Sequence, residues 1–371
     1  MAFTFFLPVK MEFGRDRYKA CGEYVKGTRV MVITDPVIAS MPYYGEIKDT
    51  LSDTLALTYE KVMPNPETAM IDEAVSLARA AGIDCVLGVG GGSALDTAKV
   101  VAMLSRTREG ELKDFLYQRC AYPTERTGLL LMPTTAGTGS EVTNVAVIND
   151  TEAGMKKPLV SPYMYADIAL VDPALTDTMP KKVTASTGID AFCHAIESYW
   201  ATNTNPVTKA VALEAMDLIL KNLRRAYEDG ADKPARDNMA KASMLAGVAF
   251  SQTRTTVLHA ISYYLTARYR IEHGAACAFT LVPFLKYNLG TIRNELQKAA
   301  DYCGYRTPED FIETVSELYR DISLPKKLSE YGILPEDADK IAGEGMAQAT
   351  TKLNPRPVTF DAIKEIVAGI I

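Results

Sequence analysis

The three histidines of the chain and one aspartate are residue types that bind transition metals. Asp190 and His194 are four positions apart, so on a helix they would share one face and could bind the same ion. His259 and His273 follow further along the chain. Aspartate oxygen and imidazole nitrogen suit a divalent transition metal. A lone histidine is more often a core or surface group, and the sequence does not show whether the later two reach the first pair.

A glycine-rich segment after an apolar run has the composition of a phosphate-binding loop. It contains Gly90, Gly91, Gly92 and Ser93, at the start of a predicted helix. Glycine lets the backbone approach a phosphate, and a helix N-terminus offers free N–H groups with a partial positive charge. Ser93 is expected to cap the helix or to donate to a phosphate oxygen. The alternative is a tightly packed turn, since the segment is neither a G-x-G-x-x-G nor a Walker motif.

A second polar loop, Pro-Thr-Thr-Ala-Gly-Thr-Gly-Ser-Glu at residues 133–141, follows the next apolar run. Neighbouring parallel strands deliver their C-terminal loops to the same edge of a sheet, where ligands bind. We therefore expect the two loops to be neighbours, although an ordinary polar turn would have a similar sequence.

Alternating strand and helix patterns must position these loops. Apolar runs predict strands at 29–34, 85–89 and 129–132, and helical periodicity predicts helices at 67–81 and 93–104. This alternation is typical of a parallel sheet covered by helices. From about residue 178 the patterns are helical, at 184–200, 205–228, 233–251, 255–267, 290–303, 308–322 and from about 359. We predict an α/β domain over residues 1–180 and an all-helical domain over 181–371.

Composition and charge exclude several classes of protein. The 371 residues carry 40 Lys plus Arg and 46 Asp plus Glu, a net charge of −6, which argues against a nucleic-acid partner. No apolar run approaches the roughly 20 residues of a membrane span, and no export signal is visible, so no membrane partner is expected. The six cysteines lack C-x-x-C spacing, which favours free thiols and a cytoplasmic location.

Taken in their order along the chain, the motifs resemble those of the iron-containing (group III) alcohol dehydrogenases. The resemblance covers nearly the whole chain. It implies an N-terminal α/β dinucleotide-binding domain and an all-α C-terminal domain, a fold related to dehydroquinate synthase and glycerol dehydrogenase. The residues that carry it are the Gly-Gly-Gly-Ser loop with Asp96 and Lys99, the 133–141 loop, Gly-Ile-Asp-Ala-Phe-Cys-His-Ala-Ile-Glu at 188–197, the His259/His273 pair and Asn-Pro-Arg-Pro at 354–357.

Position by position, the resemblance implies a metal site and a cofactor site. The implied ligands of Fe²⁺ are Asp190, His194, His259 and His273, although the donor types also suit Zn²⁺ or another divalent metal. The implied NAD(H) contacts are Gly91, Gly92 and Ser93 at the pyrophosphate, Thr134, Thr135 and Thr143 at the nicotinamide and ribose side, and Lys156, or Lys157 one position later, at a ribose.

Asp35 ends the first predicted strand, at a position that faces the adenosine ribose in the family it resembles. A carboxylate there would accept from the 2′-hydroxyl and repel a 2′-phosphate, so we expect NAD(H) rather than NADP(H). The alternative is an aspartate that caps a helix or turn before Pro36.

Two positions depart from the family pattern. Tyr263 stands where many relatives have a histidine implicated in proton transfer; its phenol, with a pKa near ~10, is a poorer base but still a candidate for the proton path. Arg254 stands where relatives commonly have a small residue, close to Phe250, whose position borders the substrate cleft. An arginine there needs an anionic partner, either Glu141 or another protein carboxylate, or the substrate. On an unbroken helix Arg254 would point away from His259, so contact with substrate requires a helix that begins after it.

The resemblance thus implies a metal-dependent, NAD(H)-linked alcohol dehydrogenase or aldehyde reductase. Its small-molecule substrate is expected to be a short-chain alcohol or aldehyde, with an anionic aldehyde such as sulfoacetaldehyde or phosphonoacetaldehyde as one option. The alternatives are a polyol dehydrogenase or a dehydroquinate-synthase-like lyase on the same scaffold, or a cofactor-binding protein without turnover. A homodimer or larger homo-oligomer is also expected.

Overall fold

The computed structural model describes residues 2–107 and 110–371, which group into two units. One unit, Leu7–Thr135 with Gly139–Thr176, contains the strands of the described chain. The other contains Asp177–Ile371 and is helical, and it also takes up the residues up to Phe6 and the short segment Ala136–Thr138. The expected combination of an α/β part and an all-helical part is therefore confirmed, while the exact boundary at residue 180 stays a prediction.

Eight strands lie in the α/β unit of the described chain: β1 (Lys10–Phe13), β2 (Val30–Ile33), β3 (Leu55–Tyr59), β4 (Cys85–Gly90), β5 (Gly128–Pro133), β6 (Val145–Asp150), β7 (Met155–Val160) and β8 (Ile168–Val171). Six of them form a parallel sheet in the order β1-β8-β5-β4-β2-β3, and β6 and β7 form an antiparallel hairpin. The predicted strands correspond to β2, β4 and β5, which lie together in the middle of the sheet. The sequence analysis missed β1, β3, β6, β7 and β8. The edge strands β1 and β3 are partly exposed and lack a continuous apolar run, whereas β8 is fully buried and apolar but only four residues long.

The helices of this unit are α1 (Pro36–Ala39), α2 (Pro42–Leu51), α3 (Thr68–Ala80), α4 (Gly92–Leu104) and α5 (Leu112–Leu116). The predicted helices at 67–81 and 93–104 are α3 and α4. Almost every residue of α4 from Ala94 onward is buried, because this helix packs on β4 and β5 in the middle of the sheet. The phosphate-loop candidate therefore stands on the most enclosed strand and helix of the unit.

The helical unit contains α6 (Lys181–Trp200), α7 (Pro206–Glu228), α8 (Lys233–Thr253), α9 (Val257–Tyr269), α10 (His273–Tyr302), α11 (Pro308–Asp321), α12 (Ala338–Ala347) and α13 (Phe360–Ala368). Most correspond to predicted helices within a few residues. The prediction at 290–303 was wrong at its start, since α10 already begins at His273. Pro283 lies inside this helix and Ile292 has non-helical φ and ψ, so the sequence pattern is interrupted although the helix continues.

Helix α6 is the centre of the helical unit, and its side chains are almost all buried from Thr184 to Trp200. Helices α7, α8 and α10 pack against it. The start of α10 approaches the backbone of α6 closely at Gly274. A Cβ added there would lie 1.8 Å from the carbonyl oxygen of Ser186 and 3.0 Å from Cβ of Asp190. Only glycine fits there, and this close approach brings His273 beside Asp190.

All six cysteines are free thiols, and all but Cys120 are buried. Among the described residues, none of the helices is long and apolar enough to cross a membrane.

Candidate metal and cofactor sites

Four side chains of the helical unit converge on one buried point. They are Asp190 on α6, His259 on α9, and His273 and Cys277 on α10, and their candidate ligand atoms all lie within 4.8 Å of one another. Oδ1 of Asp190 is 3.5 Å from Nε2 of His259 and 3.9 Å from Nε2 of His273. Three of the four residues expected at the metal are therefore together, although the chain separates them by up to 83 positions (273 − 190).

His194, the fourth expected residue, approaches the other side of the same carboxylate. Its Nδ1 lies 3.9 Å from Oδ2 of Asp190, one helical turn away on α6. Its ring stacks between Phe250 and His259, with ring centroids 4.4 Å apart in each pair. The structure thus places Phe250 directly against the metal-site candidates. Tyr263 also lies near them, with its ring parallel to that of His273 at 6.0 Å.

Glu197 fixes the orientation of His259. This carboxylate is fully buried, and its Oε2 pairs with Nδ1 of His259. Its Oε1 accepts from the backbone N–H of Thr256 at 3.0 Å, from the Thr256 hydroxyl at 2.6 Å and from the N–H of Leu258 at 2.8 Å. One acidic side chain on α6 therefore satisfies the free N–H groups at the start of α9 and directs Nε2 of His259 toward Asp190.

The charges of the cluster favour a cation. Burial opposes ionisation of Asp190, but the surrounding imidazoles of His194, His273 and His259 lower the pKa of its carboxyl below the ordinary range. Burial lowers the pKa of His194 to about 4, so its imidazole is neutral at pH 7. Burial opposes protonation of His259, but Cys277 and the carboxylates of Glu197 and Asp190 raise the pKa of its imidazole, so a metal that binds there displaces a proton.

The unsatisfied polar atoms test whether a metal fits. Oδ1 of Asp190, Nδ1 of His194 and Nε2 of His259 are buried, and within residues 2–107 and 110–371 they have no hydrogen-bond partner. Leaving such a group unsatisfied costs about 1–3 kcal/mol each. A metal ion accepts electron pairs from all three atoms at once, so the residues fit the metal that the sequence implies.

Sequence reasoning missed two residues of this cluster. Cys277 lies four positions after His273, on the same face of α10, and that spacing was the available signal. Glu197 belongs to the 188–197 motif, but nothing in the sequence connects it with His259, which is 62 positions later.

The two polar loops of the α/β unit are neighbours, as expected. Gly90 pairs with Pro133 at the ends of β4 and β5, and the N–H of Thr134 donates to the carbonyl oxygen of Gly90 at 3.0 Å. Gly90 has φ +149°, and a Cβ there would lie 2.7 Å from Cβ of Ala94, so glycine is required. Gly91 is the N-cap residue of α4, and no side chain caps the helix there. The first backbone N–H groups of α4 are therefore available to an anion.

Ser93 does not cap α4, which corrects one of its two expected roles. It is the second residue of the helix, and its Oγ accepts from the N–H of Asn65 at 3.3 Å. The reason is that Gly91 in an extended conformation already begins the helix two residues earlier.

A buried ammonium group organises the second loop. Nζ of Lys99 donates to Oγ of Ser140 at 2.6 Å, to Oγ1 of Thr143 at 3.0 Å and to the carbonyl oxygen of Val145 at 2.8 Å, and Oδ1 of Asp96 lies 3.4 Å away. Thr143, an expected cofactor contact, thus holds this loop in place through Lys99. Thr135 lies against the phosphate loop, because a Cβ on Gly91 would be 3.4 Å from its Cγ2.

Asp35 caps the short helix α1. Its Oδ1 accepts from the N–H of Val37 at 2.9 Å and of Ile38 at 3.0 Å, as in the capping alternative. Its Oδ2 points toward the phosphate loop, since a Cβ on Gly90 would be 3.3 Å from it. One carboxylate therefore combines a cap with a negative charge at this loop.

Lys156 and Lys157 point in different directions on β7. The side chain of Lys156 is buried, whereas the ammonium of Lys157 lies 3.6 Å from the ring centroid of Tyr117. A cofactor contact by Lys156 stays a prediction.

Family models and curated relatives match the chain over nearly its whole length. Residues 8–173 match the family model for iron-containing alcohol dehydrogenase, and residues 184–371 match that for the C-terminal part of the same family. A sulfoacetaldehyde reductase of Bilophila wadsworthia is 34% identical, over 98% of this chain and 97% of the relative. A choline dehydrogenase of Bacillus subtilis is 33% identical, over 97% of this chain and 92% of the relative.

A solved structure has nearly the same fold. The crystal structure of sulfoacetaldehyde reductase from Bifidobacterium kashiwanohense in complex with NAD⁺ superposes with a TM-score of 0.95 at 29% identity, covering 100% of this chain and 99% of the other.

Replacing Glu197 with glutamine tests how His259 is oriented. The amide of Glu197→Gln places either an NH₂ group or a weaker acceptor at Nδ1 of His259, so the orientation that exposes the Nε2 lone pair is lost. We expect Zn²⁺ affinity to fall about 10- to 100-fold, measured by competition with a chromophoric chelator. Thr256→Val is the matched control: it removes a hydrogen bond to Oε1 but leaves the imidazole contact, so it should lose stability and keep metal affinity. Equal metal affinity in Glu197→Gln and the unmutated protein would refute the orienting role.

Glu141 generates a prediction about pH. It is buried, its Oε2 has no hydrogen-bond partner in the part of the chain that the structure describes, and burial raises the pKa of its carboxyl to about 7. The folded state therefore holds this proton more tightly than the unfolded state does. Its contribution to stability is complete below about pH 4.5, the unfolded value, and is lost as the pH rises through about 7.

We expect Glu141→Gln, which cannot ionise, to gain roughly 3 kcal/mol of unfolding free energy relative to the unmutated protein between pH ~4.5 and pH ~8. Urea unfolding at several pH values measures this difference. Glu125→Gln, at an exposed position of the same unit, should show no such trend. A difference between Glu141→Gln and the unmutated protein that is constant with pH would contradict the assignment.

Proposed function

Because the chain belongs to the iron-containing alcohol dehydrogenase family, and is therefore an oxidoreductase, we propose that it reduces a short-chain aldehyde with NADH at a divalent metal. The observation that carries this proposal is the convergence of Asp190, His259 and His273, with His194 beside them, on one buried point. Asp190 Oδ1, His194 Nδ1 and His259 Nε2 have no hydrogen-bond partner there within the described residues. The relatives named above are reductases and dehydrogenases, which favours this reaction over the lyase and non-catalytic alternatives.

Each part of the site has a task in this reaction. When bound, the metal would act as a Lewis acid toward the carbonyl oxygen of the aldehyde. Asp190 and the histidines would hold it, and Glu197 keeps His259 oriented. The open N-terminus of α4, behind Gly91, would bind the pyrophosphate of the cofactor. Tyr263 would take part in the proton path as a neutral hydroxyl that donates and accepts hydrogen bonds, because burial raises the pKa of its phenol and keeps it protonated at pH 7.

Arg254 supports an anionic substrate. The structure ends α8 at Thr253 and begins α9 at Val257, so the helix break that substrate contact requires is present. Arg254 has φ +71° and ψ −178°, a region that is almost exclusive to glycine and costs about 1–3 kcal/mol for other residues. Its backbone N–H donates to the carbonyl of Phe250, the residue stacked on His194, at 2.8 Å. Arg254 therefore lies one turn after the residue that stacks on His194, and the paired N–H donors of its guanidinium match the oxygens of an anion such as a sulfonate.

Sequence identity alone does not choose the substrate. The relatives with 34% and 33% identity are named for an anionic aldehyde and for choline, a cation. A guanidinium group attracts the first and repels the second. We therefore propose sulfoacetaldehyde or another short anionic aldehyde, such as phosphonoacetaldehyde.

Asp35 supports NAD(H) as the cofactor. Its Oδ2 places a negative charge beside the phosphate loop, where it would oppose a 2′-phosphate. The related sulfoacetaldehyde reductase structure contains NAD⁺.

Two broader expectations are part of the proposal. A homodimer or larger homo-oligomer remains the expected assembly. The cytoplasmic location is supported by the six free thiols.

Removing one imidazole tests the metal site. His259→Ala should abolish both stoichiometric metal and aldehyde reduction, because it deletes a ligand and leaves Asp190 without that partner. Metal content of the purified protein and NADH oxidation measure the two losses. Ser262→Ala, on the same turn of α9, is the control and should keep its metal. Full metal content with normal turnover in His259→Ala would show that the assignment is wrong.

Two substitutions at Asp35 separate charge from capping. The unmutated protein should have a higher kcat/KM with NADH than with NADPH. Asp35→Asn can still cap α1 but lacks the negative charge, so it should lower the ratio of the two kcat/KM values. Asp35→Gly should lower this ratio equally. Loss of the cap should cost only a few tenths of a kcal/mol of unfolding free energy. The measurement is kcat/KM for NADH and NADPH. Equal efficiencies with both cofactors in the unmutated protein would rule out this role.

Two substitutions at Arg254 separate substrate binding from strain. Arg254→Ala and Arg254→Gly should each lower kcat/KM for sulfoacetaldehyde about 10- to 100-fold, while acetaldehyde is little affected, because a charge-assisted hydrogen bond contributes about 1.5–3 kcal/mol. Only the glycine variant should gain stability toward urea, by about 1–3 kcal/mol, because glycine adopts this backbone conformation without strain. An equal loss on both aldehydes would make the arginine structural.

A further inference from the structure

The donor cluster contains a sulfur atom that the expected ligand set does not include. Cys277 lies one helical turn after His273 on α10, and its Sγ is among the atoms that lie within 4.8 Å of one another. Cys277 and Asp190 are both buried, and so is His259. The sulfur therefore faces the same enclosed point as the unsatisfied Oδ1 of Asp190 and Nε2 of His259.

The two oxygens of Asp190 divide the donors into two groups. Oδ1 faces His259 and His273, at 3.5 and 3.9 Å, and these atoms form the compact cluster with the sulfur. Oδ2 faces His194 at 3.9 Å. Atoms bound to one metal at about 2.0–2.3 Å in a tetrahedral arrangement lie roughly 3.5 Å apart, so the cluster on the Oδ1 side is near the size of a metal site before any side chain moves.

We propose that Cys277 binds the metal through Sγ, which gives the ion oxygen, nitrogen and sulfur donors. The thiol loses its proton to the solvent buffer on binding, and an Sγ–metal bond takes its place, without change in oxidation state. A thiolate is a softer donor than carboxylate or imidazole, so it favours Zn²⁺, Co²⁺ and Fe²⁺ over Mg²⁺ and Mn²⁺.

This proposal adds a ligand to the metal site of the proposed function. It rests on the proposed function only for the position of the ion. Its test uses no substrate and no cofactor. Failure to find sulfur would leave the proposed reduction of an aldehyde intact, whereas loss of turnover alone would say nothing about sulfur.

X-ray absorption of the full-length protein loaded with one Zn²⁺ tests the bond directly and needs no variant. We expect one sulfur neighbour at about 2.3 Å in addition to oxygen and nitrogen neighbours at about 2.0–2.2 Å. A first shell of oxygen and nitrogen alone, at full metal occupancy, overturns the proposal.

Cobalt substitution identifies the cysteine. The Co²⁺-loaded protein, prepared without oxygen, should show an intense near-ultraviolet band from thiolate-to-cobalt charge transfer. Cys277→Ser and Cys277→Ala should lose this band, and Cys193→Ala should keep it. Cys193 is the matched control because it is equally buried and adjacent to His194, yet it lies outside the cluster.

A band that persists in Cys277→Ala overturns the assignment to this residue. If Cys277→Ala binds no cobalt while Cys193→Ala does, the sulfur contributes to affinity, which supports the proposal together with the sulfur neighbour in the unmutated protein.

Discussion

The arrangement of the metal-site candidates depends on the contacts of one buried carboxylate, that of Glu197. A charge with no access to water must be satisfied by its neighbours, and here the neighbours are the N–H groups that begin α9 and the imidazole of His259. The start of one helix and the direction of one ring are therefore fixed by a residue on another helix. Asp190 lies two turns earlier on that same helix, α6, so both the ion-binding oxygen and the group that orients an imidazole belong to one rigid element.

The backbone is unusual at two positions of the helical unit, for opposite reasons. Gly274 removes every side-chain atom so that α10 can approach α6, and this brings His273 to Asp190. Arg254 keeps a long side chain where glycine would be favoured, and it holds a strained conformation between α8 and α9. Strain of this kind persists only when the surrounding structure determines it, and it is concentrated at functional sites. The glycine allows close packing, whereas the anion-binding role of Arg254 is part of the proposed function.

The α/β unit shows how buried charge stabilises a polar loop. Lys99 donates to Ser140, Thr143 and Val145, and Asp96 accepts from Ser140 and from the N–H of Val147. The loop after β5 therefore has a defined shape without a ligand, beside the open N-terminus of α4. Ser140 in the 133–141 segment and Thr143 just after it therefore satisfy buried charges inside the protein.

The sequence by itself determined the α/β and all-helical parts, the central strands β2, β4 and β5, most of the helices, and the family, because these depend on local periodicity and on motifs that are contiguous in the chain. It also named Asp190, His194, His259 and His273 through that resemblance. Only the tertiary structure placed Cys277 and Glu197 at the cluster, joined α10 across Pro283, and gave Arg254 its strained backbone. The physical reason is distance along the chain: contacts between α6, α9 and α10 form when three helices pack, and no local pattern of residues records how helices pack against one another.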